Sequence, residues 1–318
     1  MAQTNVVVSN TAEYQVEGQF RVVMRRLFKN KLATVSLCVL ILIVLACFVV
    51  PMISGYGFNQ NDMQATRQAP SAEHVLGTDV NGRDVLTRLF YGGRMSLLIA
   101  FSATFIDVII GLVVGMVAGY YGGKVDNILM RITEIFLSLP FLIISITVIA
   151  VFGTPDKDNF PWLVAFIDTI GQQNWSIILL VFVLGILSWP GLARIVRGQV
   201  LSLREQEFME ACEALGIRDS RRIFRHIMPN VFSNVIVYAT LGFASVILSE
   251  AALSFLGLGV NPVTPTWGNM IQDANNLTNI RSRLWLWVPA GTMILLTVMS
   301  FNILGDGLRD ALDPRMKE

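Results

Sequence analysis

The chain has 318 residues, of which 53% are hydrophobic and only 15% are charged, and its formal net charge at pH 7 is +1. A soluble domain carries about 25% charged residues, so this composition excludes an ordinary soluble protein and predicts one embedded in a membrane. The near-neutral charge balance, with no separate basic domain, argues against a nucleic-acid-binding protein.

Six stretches are long and apolar enough to cross a bilayer, which takes about 20 mainly apolar residues. They lie at 32–53, 97–120, 132–152, 177–192, 231–258 and 285–304. The first is too long for the apolar region of a signal peptide, and no small-x-small cleavage site follows Pro51 closely. The fourth is short unless its helix continues past Trp189 and Pro190. The sequence therefore predicts an all-α integral membrane protein with six transmembrane helices.

The distribution of basic residues predicts the orientation of these spans. One side of the membrane collects 17 of the 24 Lys and Arg residues. They lie before the first span, between spans two and three, between spans four and five, and in the C-terminal tail. The other side holds Arg67, Arg83, Arg88, Arg94, Lys157, Arg281 and Arg283. Both termini are therefore expected in the cytosol.

The loop after the first span contains the charged series Asp79, Arg83, Asp84 and Arg88. Two interpretations are open: a solvated helix face with i, i+4 ion pairs, or direct contact with a substrate. The tryptophans of the outer side are predicted to form an interfacial belt. They are Trp162, Trp175, Trp267, Trp285 and Trp287.

Two carboxylates fall inside predicted spans. Asp107 lies about a dozen residues into the second span, near mid-bilayer, and Glu250 lies near the outer end of the fifth. A charge facing lipid costs at least about 2.5 kcal/mol, so such groups usually face a bundle interior or a wet cavity. For Asp107 a hydrated pathway and a structural hydrogen bond are both open. For Glu250 a structural or gating role is favoured.

The segment Glu210–Pro229 is charge-rich and amphipathic, and it lies between two predicted spans. Phe208, Ala211, Cys212 and Leu215 predict one apolar helical stripe. Gly216 is predicted to end that helix in a left-handed conformation. Asp219 or Ser220 is expected to cap a second helix, and Pro229 to stop it. The residues alone leave two alternatives, a docking element for a cytosolic partner or a helix on the inner leaflet.

No catalytic, metal or cofactor site is predicted. The two histidines, His74 and His226, fall on opposite sides of the membrane, and the chain has no HExxH motif and no GxxxxGK[ST] phosphate loop. If ATP drives this protein, it must bind another polypeptide. Its three cysteines, Cys38, Cys47 and Cys212, are not placed for an extracytoplasmic disulfide.

The segment Glu210–Pro229 resembles the cytoplasmic EAA loop of membrane subunits of bacterial ATP-binding-cassette (ABC) importers. The loop pattern is Glu-Ala-Ala, three residues, Gly, nine residues, then Ile-x-Leu-Pro. Glu210, Ala211, Gly216 and Pro229 match this pattern, whereas Cys212, His226 and Met228 depart from it. His226 before Pro-Asn resembles the peptide and nickel branch. The blocks at 76–97, 118–131, 249–259 and 301–314 resemble the C-type subunits of peptide permeases, and 153–175 is least like them.

The resemblance implies a type I ABC importer permease fold in the bacterial cytoplasmic membrane. It implies a tail at 1–31, a first helix with an external loop at 32–93, a transmembrane domain at 94–306 with a coupling loop at 205–230, and a tail at 307–318. Implied partners are a homologous second permease subunit, two ABC ATPase subunits, an extracytoplasmic solute-binding protein and a peptide substrate. Implied coupling residues are Glu210, Ala211, Gly216, His226 and Pro229.

Three alternatives to a peptide permease stay open. A nickel or other small-solute ABC importer would carry the same motifs. An ion-coupled secondary transporter would usually show inverted repeats, which are not evident. An intramembrane enzyme would need a second catalytic group at the depth of Asp107, and none is evident.

Overall fold

The computed structural model describes residues 19–156 and 158–312. The outer parts of both predicted tails, with Arg315 and Lys317, lie outside these residues, as does Lys157 of the 153–175 segment. The described residues form helices and one isolated bridge, between Thr78 and Asp84. The helices are α1 (Gln19–Lys29), α2 (Lys31–Ile53), α3 (Val85–Tyr121), α4 (Gly123–Ser138), α5 (Phe141–Gly153), α6 (Pro161–Ile170), α7 (Gln172–Ser188), α8 (Pro190–Arg204), α9 (Glu207–Ala214), α10 (Asp219–Arg221), α11 (Met228–Phe255), α12 (Trp267–Ile271), α13 (Leu277–Ser282) and α14 (Val288–Leu312).

Five helical segments in this part of the chain are long and apolar enough to cross a membrane, and a sixth crossing is available from a bent pair. Three are single helices, α2, α3 and α14. Two are composite: α7 continues into α8 over 33 residues, and α10 continues through a π-helical turn into α11 over 37 residues. This architecture confirms the predicted all-α membrane fold. The fourth predicted span does continue past Trp189 and Pro190, as its length required.

The third predicted span is not one continuous helix. α4 and α5 meet at an angle of 85°. Leu139 adopts an extended conformation and Pro140 precedes the first residue of α5. A residue before proline is pushed out of the helical region by the proline ring, so α4 ends there. The predicted span over 132–152 is therefore a bent pair of helices, and the prediction of one transmembrane helix there was wrong.

Two spans extend beyond the predicted apolar stretches. α3 begins at Val85 because the Asp84 carboxylate caps it, accepting hydrogen bonds from the Thr87 amide and hydroxyl, each at 2.8 Å. α14 runs on to Leu312, past the boundary placed at 306. Before the first span, α1 packs its buried Leu27 with Leu304 and Ala311 of α14.

Arg94 on α3 compensates for a proline inside α2. Pro51 has no N–H, so the carbonyl of Cys47 four residues earlier loses its helical donor. The Arg94 guanidinium donates to that carbonyl at 2.6 Å and to the Phe48 carbonyl at 2.7 Å. The first span is thereby attached to the second by a charged side chain as well as by packing.

The close contact between α3 and α8 depends on glycines four residues apart. Gly111, Gly115 and Gly119 lie on one face of α3 and pack against the fully buried Leu192, Val196 and Val200 of α8. A Cβ at Gly111 would lie 2.8 Å from Leu192 Cβ, and one at Gly119 would lie 2.8 Å from Val200 Cβ. Even alanine would force these two helices apart.

Candidate functional site

The segment at 205–230, called here the charged loop, joins α8 to α11. Its first helix, α9, ends at a Schellman motif: the amide of Ile217 donates to the Cys212 carbonyl at 3.0 Å, and the amide of Gly216 donates to the Glu213 carbonyl at 2.9 Å. Gly216 has φ +65°, so the left-handed conformation predicted for it is present. Apart from Gly216 itself and its two chain neighbours, no residue has an atom within 4 Å of where the Gly216 Cβ would be, so the turn is open to solvent or a partner.

The apolar residues of α9 divide between two faces. Met209 is buried in a cluster that includes Ile227 and Val231, and Cys212 is buried as well. Phe208 and Leu215 are exposed, at 37% and 78% of their full areas. The prediction of a single stripe was therefore wrong for Cys212, which belongs with Met209 at i, i+3. The face left uncovered is the one that carries Phe208, Ala211 and Leu215.

The second half of the charged loop differs from its prediction in two respects. No side chain caps α10; the Asp219 carboxylate instead accepts a hydrogen bond from the Tyr120 hydroxyl at 2.9 Å. Pro229 does not stop a helix, since it lies in the first turn of α11. The preceding residues, Arg222–Ile227, form a π-helical turn. That wider turn accommodates a proline that would clash with an α-helical carbonyl four residues earlier.

The five predicted coupling residues all lie in the charged loop, from α9 to the first turn of α11. Glu210, in the first turn of α9, is exposed, as are Ala211, Gly216 and Pro229, whereas His226 is half-buried in the π turn. A carboxylate near a helix N-terminus is favourably placed relative to the helix dipole. These residues therefore form a projecting, mostly solvent-facing surface at the end of the α8 and α11 rods.

Hydrogen bonds attach the charged loop to α3. The Tyr120 hydroxyl donates to Asp219, and Arg204, the last residue of α8 before the loop, donates to the Tyr120 carbonyl at 2.9 Å. Arg222 donates from Nε to the Ile217 carbonyl at 2.7 Å, which holds the turn after Gly216. Sequence spacing could not show these contacts, because Tyr120 and Asp219 are 99 residues apart.

The same region of α8 is attached to α4 by an ion pair. Arg197 donates from Nε and Nη2 to the two oxygens of Asp126, both at 2.5 Å. This fork geometry is the strong, directional form of an arginine–carboxylate pair. α8 is thus fixed to α4 as well as to α3 immediately before it enters the charged loop.

Asp107 is 2% exposed in the middle of α3. Its Oδ1 has no hydrogen-bond partner within the described chain, and the same is true of the Thr104 hydroxyl one turn earlier. Gly242 of α11 lies opposite, with its Cβ position 3.9 Å from Asp107 Oδ2. Among the described residues, none supplies to Oδ1 the structural hydrogen bond that was one of the two alternatives for Asp107.

Glu250 is in the opposite situation. Its carboxylate, 1% exposed, accepts hydrogen bonds from the hydroxyls of Ser254 at 2.8 Å, Thr266 at 2.9 Å and Ser96 at 3.3 Å. Ser96 in turn accepts from the Trp267 amide at 3.0 Å. The carboxylate thus joins α3, α11 and the segment leading into α12. These bonds favour the structural role over a water-filled path at this position.

The charged series before α3 is buried, so the interpretation as a solvated helix face was wrong. Asp79 accepts from Arg83 Nε at 2.7 Å and from two backbone amides in a tight turn. His74 Nδ1 lies 3.0 Å from Asp84 Oδ1. Arg88 donates to the carbonyls of Phe58 and Pro262. The turn residues fold this segment onto the connection between α11 and α12 instead of leaving it in water.

The tryptophan prediction was wrong for Trp267, which is fully buried and donates from Nε1 to the Leu89 carbonyl at 3.0 Å. By contrast Trp162 of α6 is 69% exposed, as a residue at an interface would be. Sequence reasoning also missed Asp273, which follows α12 and faces a cavity of about 260 Å³ with Asp79, Arg83 and Arg88. In the sequence, Asp273 stands out only as an acidic residue after the segment 267–272.

Comparisons with known proteins place this geometry in context. Residues 111–318 match the family described as binding-protein-dependent transport system inner membrane component. Residues 18–70 match the N-terminal transmembrane domain of oligopeptide transport permease C.

Two relatives match nearly the whole chain. The oligopeptide transport system permease protein OppC of Escherichia coli K12 is 42% identical over 95% of this chain and 93% of its own. The dipeptide transport system permease protein DppC of Alkalihalophilus pseudofirmus is 38% identical over 96% of this chain and 93% of its own. Among solved structures, an inward-facing chain of the MetNI methionine ABC transporter is similar with a TM-score of 0.52 at 18% identity, over 70% of this chain and 96% of that one. That likeness shows the fold.

Proposed function

The chain belongs to the family of inner-membrane components of binding-protein-dependent transport systems, and from that premise we propose that it is the permease subunit of an ATP-driven peptide importer. It forms half of the translocation pathway, and a homologous second permease subunit forms the other half. The substrates are oligopeptides or dipeptides, because both relatives named above are peptide permeases at about 40% identity over nearly the whole chain. The nickel alternative has no comparable support.

Energy enters through the charged loop. The uncovered face of α9, with Phe208, Ala211 and Leu215, and the open turn at Gly216 dock into an ABC ATPase subunit. Glu210 and His226 flank that face, and Pro229 sets the start of α11 behind it. The full assembly contains two ATPase subunits and an extracytoplasmic solute-binding protein. The observation that supports this most directly is that apolar side chains are exposed on an element otherwise fixed by hydrogen bonds to α3.

Within the membrane, Asp107 faces the hydrated pathway and Glu250 holds the outer end of the bundle. The unpartnered Oδ1 of Asp107 supports a position next to water or to the second permease subunit. The domain division at 93 and 94 is consistent with the two separate family matches, at 18–70 and at 111–318. Residues 1–31 and 307–318 are the cytosolic ends.

The central test uses ATP hydrolysis. The purified chain alone should hydrolyse no ATP above background, and hydrolysis should appear when the separate ATPase chains are added. Glu210→Lys should reduce that activity at least several-fold, because a cation at the start of α9 is disfavoured by the helix dipole and changes the docking surface. Glu73→Lys, the same charge reversal at an exposed site before α3, is the matched control and should leave it unchanged. Robust hydrolysis by the isolated chain would exclude the permease assignment.

Orientation is tested by labelling single added cysteines with a membrane-impermeant thiol reagent. Arg221→Cys, on the charged loop, should react only from the cytosolic side, and Asn159→Cys only from outside. Both positions are exposed. The parent chain provides the background, since Cys47 and Cys212 are buried and Cys38 lies within α2. The opposite labelling pattern would reverse the proposed topology, including the cytosolic position of both termini.

A further inference from the structure

A cavity of about 260 Å³ lies between the turn before α3 and the segment around α12. It is called here the charged cavity. Its charged lining consists of Asp79, Arg83, Arg88 and Asp273. Two oppositely charged pairs in one cavity would ordinarily neutralise each other, and such a cluster would then be structural. The hydrogen bonds show that this description holds for two of the four groups and not for the other two.

Two of the four charged groups are fully engaged by the protein. Arg88 donates from Nη1 and Nη2 to backbone carbonyls at 2.9 and 3.1 Å, and its Nε lies 3.5 Å from Asp79 Oδ2. The carboxylate of Asp79 accepts from Arg83 Nε and from the amides of Asn81 and Arg83. These groups shape the cavity and have little capacity left for a ligand.

The other two keep free capacity: Arg83 is bound only through Nε, which donates to Asp79 Oδ2 at 2.7 Å. The Arg83 side chain is 9% exposed, and within the described chain its Nη1 and Nη2 make no hydrogen bond. The carboxylate of Asp273 likewise makes no hydrogen bond and no ion pair within 4 Å among those residues. Burial, reinforced by the charge of Asp79, raises the pKa of Asp273 to about 6 despite the nearby Arg88, Arg83 and Arg67. The Nη atoms of Arg83 and the carboxylate of Asp273 thus line the same cavity without a hydrogen bond to the described residues.

A second cavity, of about 420 Å³, shares Pro262, Asn269 and Gln272 with the first. It has a largely apolar lining that includes Ile149, Leu179 and Val260. A charged site therefore adjoins a space that suits an apolar side chain. Together they match a small molecule with an anionic group, a cationic group and an apolar substituent.

From this arrangement we propose that the charged cavity is a binding subsite for the two charged ends of a short zwitterionic peptide. The peptide carboxylate accepts hydrogen bonds from Arg83 Nη1 and Nη2, its ammonium group pairs with Asp273, and its side chain enters the adjoining apolar cavity. Because both charged ends of the peptide must reach one cavity of about 260 Å³, the subsite selects short peptides. The inference rests on the proposed function, which it deepens by naming where the permease itself holds the substrate.

The test measures equilibrium binding of Ala-Leu to the assembled transporter in nanodiscs, without ATP and without the solute-binding protein. Ala-Leu should bind at least about tenfold more tightly than its C-terminal amide and than N-acetyl-Ala-Leu, since each analogue loses one charge-assisted interaction. Arg83→Gln should abolish discrimination against the amide, and Asp273→Asn should abolish discrimination against the acetylated peptide. Arg281→Gln, at an exposed arginine of α13, is the control and should change neither ratio.

The analogue comparison needs no variant, so it stands even if Arg83→Gln fails to fold. Equal affinity for all three ligands would overturn the subsite, and equally tight binding of free leucine would overturn its assignment to peptides. No Ala-Leu binding by a transporter whose ATP hydrolysis still responds to the solute-binding protein would refute the subsite but leave the permease function intact. A transporter that shows no such response would instead count against the proposed function.

Discussion

Replacing Gly216 by valine is expected to let the chain insert normally but to abolish most ATP-driven uptake. A β-branched residue held at φ +65° costs about 1–3 kcal/mol in strain. The turn would relax by giving up the two Schellman hydrogen bonds, which moves Leu215 and the end of α9 relative to α3. The measurements are uptake by the reconstituted transporter and retention of the ATPase subunits during purification.

The chain offers a matched control for backbone strain. Gly171, between α6 and α7, has φ +85° and also has no atom within 4 Å of its Cβ position. Gly171 also has ψ 140°, a combination that disfavours any side chain even more strongly, so Gly171→Val should impose at least as much strain away from the charged loop and leave uptake close to normal. If both variants transport equally well and retain their ATPases, the charged loop is not the docking element.

Glu250→Leu is expected to destabilise the bundle itself. The substitution removes the acceptor for the hydroxyls of Ser254 and Thr266 and leaves them in an apolar interior, and each buried group without a partner costs about 1–3 kcal/mol. Helix α12, whose Gly268 packs against the carboxylate, should detach first. Thermal unfolding in detergent should show a clearly lower midpoint, together with poor yield of assembled transporter.

Glu250→Gln separates the hydrogen bonds from the charge. The amide retains one oxygen to accept from Ser254 and Thr266, and its NH₂ can donate to the Ser96 hydroxyl, so most stability should remain. If Glu250→Gln lost transport while keeping the wild-type unfolding midpoint, Glu250 would act in gating and the structural assignment would be wrong.

Structural features that depend on neighbouring residues in the sequence were predictable. The apolar stretches predicted the membrane fold, and Gly216 predicted the helix end, because glycine is the residue that adopts the left-handed conformation without strain. The bend at Pro140 was missed although the signal was present, since the apolar pattern on both sides of the proline outweighed it. Hydrophobicity reports where a chain enters lipid but not whether its helix is straight.

Features that depend on distant contacts could not be predicted in this way. Asp219 was predicted to cap a helix, but its carboxylate instead accepts a hydrogen bond from Tyr120, 99 residues earlier. Local sequence does not show that contact. Glu250 looked like an unpaired charge in the sequence because one of its hydrogen-bond donors, the Ser96 hydroxyl, comes from another helix. The buried state of Asp79 and Arg83 likewise follows from the fold of the segment around them. A titratable residue in a membrane protein can be recognised as unusual from sequence, but its role depends on which groups the fold places beside it.

The glycine contacts between α3 and α8 have a mechanical consequence. Over the eight residues from Gly111 to Gly119, about 12 Å of helix axis, the two backbones are too close for either helix to slide or rotate without steric overlap. α3 and α8 therefore move as one rigid body, and the end of α8 next to the charged loop is part of it. When Arg204 is displaced, Leu192 at the other end of α8 is displaced with it, because side-chain rearrangement between them does not take up the movement.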